Sequence, residues 1–361
     1  MTKVLHFSLT ENIGGIESLL LRVSKGIEND RNIQFEFVTF NENKLKYESF
    51  FEKKGLKVHH LSSNQLKASR ELKKLFMNNK YDYIHFHKNS LINILPILIA
   101  NKNSTAKIII HAHNTASTLK SKKLNFLHYL NRIIINNMHV KRIACSKNAA
   151  KWMFGNHNYK VIHNGIDLNK YSFDLSKRLK LREEYEFKNN DIILGTVGRM
   201  ESQKNQKFLI NLLKDLLKTS TSKRYKLVLV GSGSLRKELE YQVKKLQVSD
   251  NVYFVGARSD VQNMLLLMDV FLMPSIHEGL PIAGIEAIAS GLPLIVSDNV
   301  TKELNITGNI KFLSIDSTKK WSNYILNHHF SRNLNTIIKL KNNHYDINDT
   351  VEKIKNLYLG E

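Results

Sequence analysis

The stretch "PSIHEGLPIAGIEAIASGLPLIVSD", Pro274 to Asp298, decides the fold class. It begins inside the strand-like run "VFLMPS" (270–275) and closes on a second one, "LPLIVSD" (292–298), with an Ala- and Ile-rich segment between them. Pro281 suits the first turn of a helix and Gly291 its stop. The order is therefore strand, loop, helix, strand.

The same texture extends in both directions. Towards the N-terminus lie "DIILGTVGRM" (191–200), "NQKFLINLLKDLLK" (205–218), "KLVLVGSGS" (226–234), "LRKELEYQVKKLQ" (235–247), "VYFVGA" (252–257) and "DVQNMLLLMD" (260–269). They read alternately as strands and helices. The first half repeats the scheme: "KVLHFSL", the turn "ENIGG", the helix "IESLLLRVSKGI", then strands at "IQFEFVTF", "KVHHL", "YDYIHFH", "AKIIIHAH", "RIACS" and "KVIHNG". Such alternation implies a parallel sheet covered by helices on both faces. With 361 residues, two domains are expected. The expected division is 1–170, 171–335 and a helical tail 336–361 that packs back on the first domain. Two doubly wound α/β domains are expected to face each other across a cleft bounded by strand carboxyl ends.

Composition narrows the function. The formal charge of +22 is unevenly spread, with 30 Lys+Arg against 12 Asp+Glu in residues 1–180 and 24 against 20 in the rest. From Tyr83 to Gly165 there are 12 basic residues and no acidic one. Within this run, "LKSKKLNFLHYLNRIIINNMHVKRI" alternates basic clusters with Leu, Phe, Tyr and Ile, the pattern of an interfacial surface that meets anionic lipid. A solvated lysine-rich face and a nucleic-acid surface are the alternatives. The lone Cys145 excludes an internal disulfide and reads as a packed small residue. No apolar run is long enough to span a bilayer and no signal-peptide layout is present, so a cytoplasmic protein is expected.

Two strands end in His-x-His, "IHFHKN" (84–89) and "IIIHAHNT" (108–115). Residues two apart share a strand face, so either pair could chelate an ion. No carboxylate between Tyr83 and Gly165 and no cysteine cluster completes such a site, and no metal is expected.

The Pro274–Asp298 stretch carries two glutamates eight residues apart, Glu278 and Glu286, and closely resembles the E-x7-E motif of retaining, family-4 glycosyltransferases of GT-B architecture. "GTVGRMESQKN", "LVGSGS", "FVGARSDV", "CSKN", "VIHNGID", "HAHNT" and "GGIE" extend the resemblance over nearly the whole chain. Bacterial exopolysaccharide and capsule transferases are the members it is most similar to. Eight helical residues rise about 12 Å, so the two carboxylates cannot grip one atom. They also do not match the separation of about 5 to 5.5 Å that a retaining hydrolase needs. They suit the two ends of a nucleotide sugar.

The resemblance implies a role for each residue. Glu286 takes the ribose hydroxyls and Glu278 lies at the donor sugar, with the intervening Gly279 and Leu280 beside the diphosphate at a helix start. Arg199 and Lys204 neutralise the departing diphosphate in place of a metal, since no Asp-x-Asp motif occurs in the chain. Gly198, Gly231 and Gly233 lie near the nucleotide, while Gly14 and Gly15 bring backbone close to phosphate or sugar. Ile16 stands where the family commonly has Ala. His113 sits beside the donor sugar, His87 and Asn114 on the acceptor side, and His85 and His111 beneath them.

The reaction so implied is transfer of a hexose or N-acetylhexosamine, with retention and without metal or other cofactor, from a UDP-sugar to a lipid-linked saccharide at the inner face of the membrane. An inactive homologue acting as a scaffold and a nucleotide-sugar epimerase are the alternatives.

Overall fold

The computed structural model describes residues 1–11, 13–115, 121–219 and 224–360, and among these every side chain but that of Ser8. Asn12 of the "ENIGG" turn, and Leu119 and Lys120 at the head of the basic segment, lie outside the described residues. The chain forms two compact units, residues 1–165 with 344–361 and residues 166–343.

In the first unit follow β1 (Thr2–Leu9), α1 (Gly15–Gly26), β2 (Ile33–Thr39), α2 (Glu48–Glu52), β3 (Lys57–His60), α3 (Gln65–Asn78), β4 (Tyr83–Lys88), α4 (Leu95–Asn103), β5 (Lys107–Ala112), α5 (Lys122–Asn136), β6 (Lys141–Ala144), α6 (Lys147–Phe154) and β7 (Lys160–Val161). The second unit holds α7 (Leu175–Glu184), β8 (Asp191–Val197), α8 (Gln206–Thr219), β9 (Arg224–Val230), α9 (Arg236–Lys245), β10 (Val252–Gly256), α10 (Val261–Leu267), β11 (Val270–Met273), α11 (Ile282–Ala289), β12 (Leu294–Ser297), β13 (Ile310–Leu313), α12 (Thr318–Leu326) and α13 (Thr336–Asn342). The last helix, α14 (Ile347–Leu359), returns to the first unit.

Among the described residues the strands order as β3-β2-β1-β4-β5-β6-β7 and β10-β9-β8-β11-β12-β13, with every pair parallel. Each sheet is wound outward from its centre in both directions, the doubly wound pattern. In the first sheet, strand alternation sends Leu5, Phe7, Ile84, Phe86, Ile108 and Ile110 to a core shared with α3, α4 and α6. Val4, Phe35, Tyr83, Ile109 and Ile143 point to the other face. There α1 supplies Leu19, Leu20 and Val23, and α14 supplies Val351, Ile354, Leu357 and Tyr358.

The expected tail begins too early. Thr336 and Leu340 of α13 are buried, Thr336 bonds the Ala289 carbonyl and Lys339 that of Thr307, so α13 packs on α11 in the second unit. Only α14 closes the first unit. Asp346 caps it, Thr350 accepts from the Gly165 amide at 3.0 Å and donates to the His163 carbonyl at 2.9 Å, and Lys355 pairs with Asp30. The same contacts put the division at Gly165, not at 170.

Five imidazoles run along the α1/α14 face. His6 of β1 is in register with His85 of β4, and His87 with His111 of β5, while His113 follows β5. His6 Nδ1 and His87 Nε2 are 3.1 Å apart, His87 Nδ1 and His113 Nε2 2.9 Å, and Tyr358 bonds His85 Nδ1. His6, His85, His87 and His111 are each at most 2% exposed. Burial lowers His6 from 6.5 to about 3. Burial, and then mutual repulsion, holds His85, His87 and His111 well below the usual histidine range.

Two outcomes are expected. A Cβ on Gly26 would lie 2.5 Å from Val351 Cγ2, so Gly26→Ala destabilises by about 1–3 kcal/mol. Denaturant melting should show that Gly26→Ala with Val351→Ala costs less than the sum of the two. Between pH 6.5 and about 3 the unfolded chain binds protons that folded His6 refuses. Its stabilising contribution is complete above pH 6.5 and is lost as pH falls, at about 1.4 kcal/mol per pH unit for each such histidine. The urea midpoint should therefore drop below neutrality and drop less steeply in His6→Phe; a midpoint unchanged down to the carboxylate range contradicts this.

Candidate functional site

Ligands of doubly wound sheets bind beyond the strand carboxyl ends where the strand order reverses. In the second sheet that point lies between β8 and β11. The segments leaving these strands, 198–205 and 274–280, are tied together. The Ile276 amide donates to the Gln203 carbonyl at 2.8 Å, Gln203 Nε2 to the His277 carbonyl at 3.0 Å, and Asn205 Nδ2 to the Pro274 carbonyl at 3.2 Å. Asn205 has φ of 54°, a left-handed conformation asparagine tolerates, and turns the chain into α8. These ties bring Lys204 Nζ to 2.5 Å from Glu278 Oε1, with the carboxylate side chain 9% exposed. Two residues that the sequence places 74 apart thus form one charged pair at the reversal point.

The glycines explain how the strand ends approach. The Gly198 amide donates to the Val230 carbonyl and the Gly231 amide to the Gly256 carbonyl. Gly231 has φ of +131°, and a Cβ there would stand 2.1 Å from the Gly198 oxygen; one on Gly233 would stand 2.4 Å from the Met200 oxygen. The loops after β8 and β9 therefore lie backbone to backbone. Arg199 is exposed beside them, and Glu201 accepts from the Ser234 amide and hydroxyl.

On the other side, Gly279 is buried and Leu280 half-buried. Pro281 occupies the cap position of α11 with extended ψ of 119° rather than the first turn expected of it. Its carbonyl accepts from the amides of Gly284 and Ile285, which a residue one step earlier is placed to do. Glu286 is buried within α11 at 7% exposure. Gly291 ends this segment at φ of 74°, as expected.

Sequence reading passed over Gln203, Asn205, Gln206, Ser275 and His277. Their only mark is that they flank the charged pair, in "SQKNQ" (202–206) around Lys204 and "PSIH" (274–277) before Glu278. Gln206 Oε1, Ser275 Oγ and His277 Nε2 are buried with no hydrogen-bond partner among the described residues. Native interiors rarely leave such groups unmatched, and a polar ligand at this end of the sheet would match them.

In the first sheet the order reverses between β1 and β4. The Thr10 amide and hydroxyl and the Gly14 amide donate to the Glu17 carboxylate at 3.2, 2.6 and 2.9 Å. The start of α1, where Gly15 is exposed, thus carries a carboxylate of its own helix. Near the end of β4 stands His87, and past β5 stand His113, bonded to His87, and half-buried Asn114, whose Oδ1 accepts from the Thr115 amide at 2.8 Å. His6, His85 and His87 form one trio of possible metal ligands, and His87, His111 and His113 another, with the ligand atoms of each within 4.8 Å. Both nitrogens of His87 are engaged by His6 and His113, so an ion would have to displace those bonds. His6 was the member the sequence reading left out, although its parity on β1 matches that of His85 on β4.

Comparison with known proteins completes the description. Residues 13–170 match the model for Glycosyltransferase Family 4, and residues 177–324 that for Glycosyl transferases group 1. The putative glycosyltransferase EpsF of Bacillus subtilis is 27% identical over 315 residues, which cover 84% of this chain and 81% of that protein. An Escherichia coli UDP-Gal:alpha-D-GlcNAc-diphosphoundecaprenol alpha-1,3-galactosyltransferase is 28% identical over 318 residues, 81% of this chain and 79% of the other. The capsular polysaccharide biosynthesis glycosyltransferase CapH of Staphylococcus aureus is 23% identical, with 100% and 99% covered. In fold, the chain is similar to HepE of Anabaena in complex with UDP-glucose, with a TM-score of 0.73 at 18% identity over 99% of this chain and 95% of that one. With both halves of the chain matched in this way, the protein belongs to the GT-B glycosyltransferases, with a family 4 domain followed by a group 1 domain.

Proposed function

We propose that the protein is a retaining, metal-independent glycosyltransferase that moves a hexose or N-acetylhexosamine from a UDP-sugar to a lipid-linked saccharide in the synthesis of a surface polysaccharide. The observation that carries this reading is the Lys204–Glu278 pair at the reversal point of the second sheet, beside exposed Arg199 and unmatched polar groups. A nucleoside diphosphate draws Lys204 off the carboxylate, and Arg199 adds a second cation. Glu278 is then left to orient the sugar and to stabilise charge at the anomeric carbon. Glu286 takes the ribose hydroxyls.

In the transfer step, the acceptor hydroxyl oxygen bonds to the anomeric carbon on the face that the diphosphate leaves. The carbon–oxygen bond to the diphosphate breaks, and the acceptor proton passes to the departing phosphate oxygen. UDP and the new glycoside are the products. Two fixed cations give the leaving group the charge it needs, which is why no metal enters the scheme. The UDP assignment is supported by the UDP-glucose complex of HepE and the UDP-galactose named for the E. coli relative. The lipid-linked acceptor is supported by the diphosphoundecaprenol in that relative's name and by the basic first half of the chain. No helix among the described residues is long and apolar enough to cross a membrane, so the acceptor would be met at the bilayer surface, where each Lys or Arg contributes about 1 kcal/mol against anionic lipid.

The test is a panel of UDP-, GDP- and dTDP-sugars incubated with the protein and EDTA, with release of nucleotide followed chromatographically. One UDP-sugar should turn over, and Glu278→Ala should lower its rate about 100-fold or more. Turnover that EDTA abolishes would sink the metal-independent scheme. No turnover together with no nucleotide binding would favour a scaffold, and conversion of one sugar isomer to another an epimerase.

A further inference from the structure

Helix α5 is built inside out. Its inward residues are His128, Asn131 and Ile135, of which two are polar. His128 accepts from the Leu91 amide at 3.0 Å, contacts the Trp152 carbonyl at 3.2 Å and stacks on the Trp152 ring at 3.9 Å between centroids. Asn131 Nδ2 donates to the carbonyls of Leu91 and Ile92. The helix is thus held to its unit largely by matched polar groups. Its large apolar residues are turned outward: Phe126 is 63% exposed, Leu130 44%, Ile133 60% and Ile134 45%. With Leu127 and Tyr129 they span an arc of about 160° at 100° per residue. Scattered surface hydrophobes need no explanation, but a contiguous stripe on one helix marks an interaction site.

We propose that α5 is the element by which the protein seats itself in an anionic lipid surface, lying in the plane of the headgroups with Phe126, Leu130 and Ile133 in the acyl boundary. Charge selects this occupant. Lys122 and Lys123 fall on the same arc at the N-terminal end, Arg132 lies over the Tyr129 ring at its edge, and exposed Lys147 and Lys151 follow on the adjoining α6. With no acidic residue between Tyr83 and Gly165, a second copy placed on this face would set two basic surfaces against each other. An apolar stripe framed by Lys and Arg is what an interfacial helix presents to anionic lipid. The inference deepens the membrane-surface reading of the acceptor given above and rests on it.

Co-sedimentation of the full chain with phosphatidylcholine vesicles, with and without phosphatidylglycerol, tests it, using the double variant Phe126→Ser/Ile133→Ser. Both side chains are exposed, so the variant should keep its melting temperature and its slow donor hydrolysis. The wild type should bind only the anionic vesicles, and the variant should lose about 10-fold or more of that binding. Wild-type protein that ignores anionic vesicles would overturn the membrane-surface reading itself. Wild type and variant that bind anionic vesicles alike would overturn only the assignment to α5. A wild type that forms dimers which the variant does not form would make the face a contact between copies and overturn the lipid assignment.

Discussion

A lysine and a glutamate far apart in the chain meet in the second unit because an all-parallel sheet reverses its strand order between β8 and β11. At such a reversal the connections leave toward opposite faces of the sheet, so the two loops part and leave room between strand ends. The bond from the Ile276 amide to the Gln203 carbonyl and that from the Gln203 side chain to the His277 carbonyl limit that parting. What remains is a partly dry position where a cation and a carboxylate face each other. Taking one of them away leaves the other charge in a poorly solvated place, which is costly. The pair therefore suits a ligand that brings its own anion, because exchange of partners keeps every charge matched.

The first unit handles charge in a different way. Its excess of Lys and Arg lies in a stretch without carboxylates, while its buried imidazoles are kept neutral by their burial. The start of α1, a place where an anion is favoured, is filled by Glu17. Electrostatic attraction in this unit thus resides on the surface, and α5 adds an apolar stripe to it. The chemistry assigned to the second unit and the surface properties of the first are carried by different residues, so each can be altered separately.

Much of this was legible before any coordinates. The strands "KVLHFSL", "YDYIHFH", "KLVLVGSGS" and "LPLIVSD" all form, because β-branched and aromatic runs bounded by Gly, Asn and Pro have few other outcomes. The sequence set Lys204 at the diphosphate and Glu278 at the donor sugar through resemblance alone; that the two form a charged pair is seen only in the structure. What escaped the reading depends on partners in three dimensions. The capture of Glu17 by Thr10 and Gly14 looks in sequence like an ordinary helix-surface acid. His6 became part of a cluster only through the pairing of β1 with β4. The alternation of basic and apolar residues in α5 was visible, but that its polar residues face inward depends on Leu91, Ile92 and Trp152 from elsewhere in the unit. The division of the tail between α13 and α14 likewise hinges on Thr336 and Thr350, whose carbonyl partners no local pattern reveals.

The account depends most on exchange of Lys204 between Glu278 and a diphosphate, and calorimetric titration with UDP alone tests this directly. UDP lacks the sugar, so Glu278 enters only as the competitor for Lys204. Lys204→Gln should weaken UDP binding, whereas Glu278→Gln should leave it unchanged or tighter. If both substitutions weaken it to the same degree, or if Lys204→Gln has no effect, the exchange does not occur and the diphosphate is held elsewhere.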